Sequence, residues 1–288
     1  MNPMKRKQKL LAVMAVLLLF ISWILWGNQA IEVTEYKAAS EEVPEEFNGY
    51  RIVQVSDLHN AEFGEDNGEL LHIIKSSEPD MIVLTGDFVD SRHTDIDIAL
   101  KFAEKAVHIA PVYYVTGNHE ARIQKSGQYD ILKDGLKDCG VRVLENERVV
   151  LEKPGAQIHL IGLQDPAFAG ETSSFNTDGS YLKEQLESLC SEAVSYGILF
   201  SHRPELFNIY TDCNVNLVLS GHAHGGQIRL PFIGGVIAPG QGLFPKYDAG
   251  LYTAEDTSMI VSRGLGNSLF PFRVNNRPEL VVVELQNK

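Results

Sequence analysis

Hydrophobic and polar residues follow three regimes along this chain. Positions 10–26 read LLAVMAVLLLFISWILW, with Ser22 the one clearly polar residue. Seventeen helical residues rise about 25 Å at about 1.5 Å each, the short end of a bilayer span. The pattern predicts a transmembrane helix over 10–27, behind a short tail at 1–9. In the second regime, apolar runs at 51–55, 81–84, 112–115, 198–200 and 217–219 are rich in β-branched or aromatic residues. Helical patterns at 69–76, 96–109, 129–139 and 182–193 lie between them. That alternation predicts an α/β domain with parallel pairing. Positions 31–36 alternate weakly and read as an edge strand, which leaves 27–30 as the tether; 38–48, with Pro44, reads as a connection. Runs at 142–151 and 157–163 flank Pro154-Gly155 and read as adjacent strands. Beyond Gly225 glycine and proline become frequent, and runs at 259–262 and 280–285 predict an additional, mostly antiparallel sheet. No repeat or second boundary divides 31–288.

Charge sharpens this picture. The 288 residues carry 25 Lys+Arg against 38 Asp+Glu, a net −13, with 44% hydrophobic and 22% charged residues, a globular balance. Lys5, Arg6, Lys7 and Lys9 are all the cations of the first 30 positions, and no acidic residue lies among them. Setting those four aside leaves 21 against 38, or −17, for the rest. So acidic a body offers no basic groove to long nucleic acid. The basic cluster predicts a cytoplasmic N-terminus, and Trp23 and Trp26 mark the far interface. The rival to a retained single-pass signal-anchor is a cleaved signal peptide. Its exit, Gly27-Asn28-Gln29-Ala30, puts Asn28 where cleavage wants a small residue. Both readings place the residues after about 30 outside the cytoplasm, the anchored one at the cell membrane. Cys139, Cys190 and Cys213 are too few and scattered for a disulfide scaffold or a thiolate zinc site, and an odd number leaves at least one free thiol.

Five apolar runs end alike: Val55-Ser56-Asp57-Leu58-His59, Leu84-Thr85-Gly86-Asp87, Val115-Thr116-Gly117-Asn118-His119, Phe200-Ser201-His202 and Leu219-Ser220-Gly221-His222-Ala223-His224. In open α/β sheets functional groups gather at the carboxyl ends of strands. On a continuing strand Asp57 and His59 would share a face, as would His222 and His224. The donors Asp57, His59, Asp87, Asn118, His202, His222 and His224 combine imidazole with carboxylate and amide oxygen. That set suits Mn, Fe, Zn or Co. Seven donors exceed one tetrahedral ion and suit two divalent metals sharing a carboxylate. His72, His93, His108 and His159 lie outside these segments.

Asp57-x-His59, Gly86-Asp87-x-x-Asp90, Gly117-Asn118-His119-Glu120, His202 and Gly221-His222-x-His224 resemble, in order, the five signature blocks of calcineurin-like metallophosphoesterases. The string Gly221-His222-Ala223-His224-Gly225-Gly226-Gln227-Ile228-Arg229-Leu230-Pro231 is similar to the bacterial membrane-associated branch with YkuE-like and YaeI-like phosphodiesterases. The resemblance implies a four-layer α/β/β/α sandwich. It implies that Asp57, His59, Asp87 and His224 hold one metal, and Asp87, Asn118, His202 and His222 the other. His119 would be a non-ligand that protonates the leaving oxygen or steadies phosphoryl charge. Asp90 would support the site from behind or cap a helix, and Glu120 is similarly open. The implied reaction is hydrolysis of a phosphoester, more in the manner of a diesterase, by in-line attack of a hydroxide bridging the metals.

The apolar stretches Leu230-Pro231-Phe232-Ile233 and Leu269-Phe270-Pro271-Phe272 read first as packing for a second sheet and alternatively as a greasy rim favouring a lipid-linked substrate. Arg229, Arg263 and Arg273 read first as ordinary surface charges and alternatively as phosphate contacts. Two other functions compete: a non-catalytic metal-binding surface protein, and a sugar-nucleotide lipid pyrophosphatase, which the extracytoplasmic orientation disfavours.

Overall fold

The structure, a computed structural model, describes residues 3–170, 179–190, 196–213, 215–267 and 270–288. Leu269 and the end of the helix expected over 182–193 lie outside the described residues. The first helix, α1 (Pro3–Gln29), contains a stretch, Lys7–Gln29, that is long and apolar enough to cross a membrane, and none of it is buried. It does not stop at Trp26. The expected tether is its last turn and the step after it. There Asn28 donates to the carbonyls of Ile24 (2.7 Å) and Arg273 (2.9 Å), and accepts from the Arg273 N–H (2.7 Å). The helix is thereby clasped to the body.

In chain order the remaining elements are β1 (Glu32–Ser40), β2 (Arg51–Val55), α2 (Gly68–Ser76), β3 (Met81–Thr85), α3 (Ile96–Ala106), β4 (Val112–Val115), α4 (Asn118–Gln124), α5 (Gln128–Asp138), β5 (Arg142–Val143), β6 (Glu147–Lys153), β7 (Ala156–Gly162), α6 (Ser180–Leu189), β8 (Gly197–Phe200), α7 (Phe207–Asp212) and β9 (Leu217–Ser220). Two small ribbons follow, β10 (Arg229–Leu230) with β11 (Gly234–Gly235) and β12 (Ile237–Ala238) with β13 (Gly242–Leu243). The chain closes with β14 (Gly250–Ala254), β15 (Thr257–Val261) and β16 (Glu279–Asn287).

Two six-stranded sheets result, ordered β1-β16-β2-β3-β4-β5 and β14-β15-β9-β8-β7-β6. Alternation along each strand decides what each face meets. On β2, Ile52 faces the other sheet, with Val83, Leu160, Ile198 and Leu219. Val53 and Val55 face the helices, with Leu70, Ile74, Phe102 and Leu132. The second sheet packs Ile161, Leu199 and Val218 against Leu182, Leu186 and Phe207 of α6 and α7. The layers are therefore α/β/β/α, as expected. Helix α3 shows the local logic. Asp95 caps it by accepting from the N–H groups of Asp97 (3.1 Å) and Ile98 (3.4 Å). Ala99, Phe102, Ala103 and Ala106 then form one buried stripe.

Among the described residues, the runs at 259–262 and 280–285 do not form an additional antiparallel sheet. β15 lies parallel to β9 inside the second sheet, and β16 lies inside the first, parallel to β1 and antiparallel to β2. Residues Leu280–Val283 are buried on both faces, the environment of a central strand, and that carries no alternation to read. The run at 142–151 divides between sheets, β5 going to the first and β6 to the second. Asn146, between them, adopts a left-handed φ of 54°. The pairing of β6 with β7 about Pro154-Gly155 is as expected. Replacing Phe102 with Ala should cost about 3–5 kcal/mol, read as a lower denaturant midpoint of the full chain.

Candidate metal centre

Five strand ends from both sheets converge. Asp57 and His59 follow β2, Asp87 follows β3, and Asn118 and His119 open α4 after β4. His202 follows β8, and His222 and His224 follow β9. All are buried. The expected continuing strands are absent. Each strand stops short, and the side chains are aimed by left-handed backbone: Asp57 (φ 51°), His59 (47°), Asp87 (49°), His222 (66°) and His224 (49°). Non-glycine residues in this region are uncommon and strained, at about 1 kcal/mol or more each, and cluster at functional sites. Glycines make room. A Cβ on Gly86 (φ 87°) would meet Gly117 N and His202 Nδ1 at 2.7 Å each, and one on Gly221 would collide with Ser56 Oγ and Asp57 Oδ2.

Glu120, left open by the sequence, is the clamp of the loops. Its buried carboxylate accepts four backbone N–H bonds, from Asp87 (3.0 Å), Phe88 (2.7 Å), Val89 (3.3 Å) and Gly117 (2.7 Å). It ties the end of β3 to the end of β4.

The donor atoms form two groups that share Asp87. Asp57, His59, Asp87 and His224 offer ligand atoms within 4.8 Å of one another, and so do Asp87, His202 and His222. In the first group His59 Nε2 and His224 Nε2 lie 3.2 Å apart, and His224 Nε2 is 3.3 Å from Asp57 Oδ1. In the second, His222 Nδ1 and His202 Nε2 lie 3.1 Å apart. Asp87 Oδ1 is held by the His119 N–H at 2.8 Å. Its Oδ2 stands 3.5 Å from His59 Nε2 and 3.3 Å from His202 Nε2, between the two groups. Asn118 lies beside the second group. With its NH2 turned inward it donates to His222 Nδ1 at 2.8 Å, while its oxygen accepts from the His119 N–H and from Arg122. Turned the other way, its oxygen faces the centre as a donor atom.

Protonation follows from burial. Burial pushes His59 down to about 3 and holds His222 and His224 well below the ordinary imidazole value, so these rings are neutral, as ligation requires. Burial and the Asp87 charge raise Asp57 to about 6. Burial opposes a proton on His202, but Asp87 and Asp57 outweigh it and raise that ring to about 10. Its Nδ1–H is anchored by the Thr85 carbonyl at 2.8 Å, which leaves Nε2 for the centre.

His119 adjoins the first group: with His59 and Asp90 it forms a third set of ligand atoms within 4.8 Å of one another. The Ser91 N–H donates to its Nδ1 at 3.0 Å. The ring proton of neutral His119 is therefore on Nε2, which lies 4.0 Å from Asp87 Oδ2. Asp90 does not cap a helix. It is paired with Arg92 at 2.6 Å, and its Oδ1 is 3.8 Å from His119 Nδ1, behind the ring.

Sequence reading missed a buried network around Arg203. Its Nε and Nη2 donate to Asp165 at 2.6 and 3.0 Å, and its Nη1 donates to His222 Nε2 at 3.0 Å and Glu205 Oε1 at 3.4 Å. The available signal was a charged residue directly after His202 at a strand end. Its partner Asp165 is 38 positions upstream and belongs to no motif. Arg273 is not a surface charge: it is buried, with Nη2 3.4 Å from His224 Nδ1. Arg229 is paired with Asp248 at 2.9 Å, and Arg263 with Glu279 at 2.9 Å.

The donor set fits cations. Imidazole nitrogens converge on one another and on carboxylate oxygens within 3.1–3.5 Å, the donor types that divalent ions take, and His59 Nδ1 has no partner among the described residues. Residues 50–226 match the calcineurin-like phosphoesterase family. The chain belongs to that family. It is 32% identical over 269 residues to the metallophosphoesterase YkuE of Bacillus subtilis, covering 89% of this chain and 86% of that one. It is 28% identical over 244 residues to the phosphodiesterase YaeI of Escherichia coli, with 82% of each chain covered. The bovine transmembrane protein with metallophosphoesterase domain is 29% identical over 287 residues, which cover 96% of this chain and 62% of that one. These relatives support the YkuE/YaeI-like branch. Calcineurin-like phosphoesterases are dimetal-dependent, and this one is a hydrolase acting on phosphoester bonds with buried His and Asp groups that could hold the metals. That sets aside the non-catalytic reading.

Glu120→Ala strips four buried N–H groups of their acceptor. At about 1–3 kcal/mol per orphaned donor, the variant should lose at least about 3 kcal/mol of stability and bind metal less tightly, read by chemical denaturation and metal analysis.

Proposed function

We propose that this chain is a membrane-anchored phosphodiesterase with two metals, and that Asp87 bridges them. The position of Asp87 Oδ2 between His59 Nε2 and His202 Nε2 carries the reading. Asp57, His59, Asp87 and His224 would hold one ion; Asp87, Asn118, His202 and His222 the other. Bound there, two divalent ions supply a water of lowered pKa and offset the charge of phosphoryl oxygens.

The chain's own residues do the rest. His119 presents an Nε2–H toward the donor groups, its tautomer set by Ser91, and that N–H steadies the charge on a phosphoryl oxygen. Asp90 lies behind the ring, with Oδ1 3.8 Å from His119 Nδ1. Glu205 Oε1 lies 3.9 Å from His222 Nε2, in the corner where Arg203 Nη1 points. Arg203 and Asp165 hold that corner rigid.

The same reading divides the chain into a cytoplasmic tail (1–9), an anchor (10–27) and an extracytoplasmic domain (31–288), with orientation set by Lys5, Arg6, Lys7 and Lys9. A lipid-linked phosphoester is the substrate class that the apolar rim supports. Leu230, Phe232, Ile233, Phe270 and Phe272 are exposed rather than packed under a sheet.

Asp87→Ala should hold fewer than two ions and lose hydrolysis of bis(p-nitrophenyl) phosphate. His119→Ala should keep its metal and lose about 10²–10³-fold in kcat. Elemental analysis with kinetics on both variants checks this. A Mn-loaded wild type that cleaves no aryl phosphodiester refutes the reading.

A further inference from the structure

The last turns of α1 and the segments after β15 enclose a cleft of about 240 Å³, lined by Trp23, Trp26, Arg263, Arg273, Asn275 and Arg277. None of these residues belongs to the metal donor groups. We propose that this cleft binds the phosphate headgroup of an anionic lipid in the leaflet next to the domain. The proposal requires that α1 cross the membrane. It does not require the metal centre to be catalytic.

Position argues first. One wall of the cleft is the end of a helix whose Lys7–Gln29 stretch is long and apolar enough to span a bilayer. Tryptophan rings favour the interfacial level, where headgroups lie. Arg277 stacks over the Trp26 ring, 5.3 Å from its centroid. The Asn28 clasp on the Arg273 backbone fixes the height of the cleft relative to the helix. Phe272 immediately precedes that clasped residue. Phe270 and Phe272 are both exposed, and their carbonyls are both held by Gln227 Nε2 (3.3 and 2.9 Å). They form an ordered apolar edge at the same end of the molecule, suited to acyl chains.

Charge argues second. The chain outside its basic tail is strongly acidic, yet three guanidinium groups line this one cleft. Two carboxylates answer them. Glu279 is buried and committed to Arg263 at 2.9 Å. Glu32 is 43% exposed and touches Arg263 Nη2 at 3.3 Å and Arg277 Nη1 only at 3.9 Å, a loose counter-ion that a phosphate can displace. Arg277 spends Nε and Nη2 on the carbonyls of Ala30 (2.8 Å) and Ile31 (2.9 Å), which sets its plane and leaves Nη1 toward the cleft. Arg273 is locked by the carbonyls of Arg263 and Gly266. The cations are thus held in place before a ligand arrives, which lowers the entropy cost of binding.

Native mass spectrometry of the full chain in mixed micelles tests this, with phosphatidylglycerol, phosphatidylcholine and inorganic phosphate as probes. Wild type should retain phosphatidylglycerol over phosphatidylcholine. Arg277→Gln removes a donor, and Asn275→Asp sets a carboxylate at the rim. Each should weaken phosphatidylglycerol retention about tenfold, the worth of one charge-assisted hydrogen bond, with phosphatidylcholine retention and aryl phosphodiester hydrolysis unchanged. The basic tail is common to all three proteins, so the differences report the cleft alone. Equal retention of both lipids by wild type overturns the proposal, as does unaltered phosphatidylglycerol retention in both variants. Displacement of the lipid by inorganic phosphate at equal concentration would make this a site for free phosphate and would also overturn it.

Discussion

Everything in this molecule turns on a place where buried imidazoles and carboxylates are crowded together. Four imidazoles and two carboxylates are buried together, with His59 Nε2 3.2 Å from His224 Nε2 and His222 Nδ1 3.1 Å from His202 Nε2. Protons satisfy such contacts only in part, and burial drives three of the rings to the neutral form. Cations satisfy them fully. The fold accepts strain to keep this arrangement: five donor residues sit in left-handed backbone, and one buried carboxylate, Glu120, is spent on holding loops. A protein optimised for stability alone would have no such cluster.

The sandwich makes the cluster possible because each sheet supplies part of it. Asp57, His59, Asp87 and Asn118 come from strand ends of the first sheet, and His202, His222 and His224 from the second. Packing between the sheets therefore sets the distance between donor groups. Gln54 bridges them near the strand ends, with its Nε2 donating to Thr85 Oγ1 and the Ser220 carbonyl at 2.9 Å each. The Asn28 clasp extends the same rigidity to α1, so the apolar edge and the arginine-lined cleft stand at a fixed position relative to that helix.

Much of this was legible in the sequence, for identifiable reasons. Strand ends announced themselves because an apolar run followed by a small residue and a polar donor is a local signal, and five of them in order pointed to one centre. The way the donors are aimed was not legible. Asp57 and His59 converge through left-handed turns, and period-two reasoning reaches the same pairing by the wrong geometry. Residues 280–285 were misplaced because a strand buried on both faces shows no alternation and says nothing about its neighbours. Arg203 was invisible because its meaning lies in Asp165 and Glu205, contacts that depend on the tertiary fold. The apolar stretches at 230–233 and 270–272 looked like core because composition does not reveal what covers a residue; they are exposed.

The account stands or falls on two cations sharing Asp87. Electron paramagnetic resonance of the full chain titrated with Mn(II) reads this directly. At two equivalents the account predicts an exchange-coupled spectrum from ions about 3.5–4 Å apart, reverting to isolated Mn(II) signals in Asp87→Ala. Two equivalents bound with only uncoupled six-line spectra, or saturation at one, would contradict it.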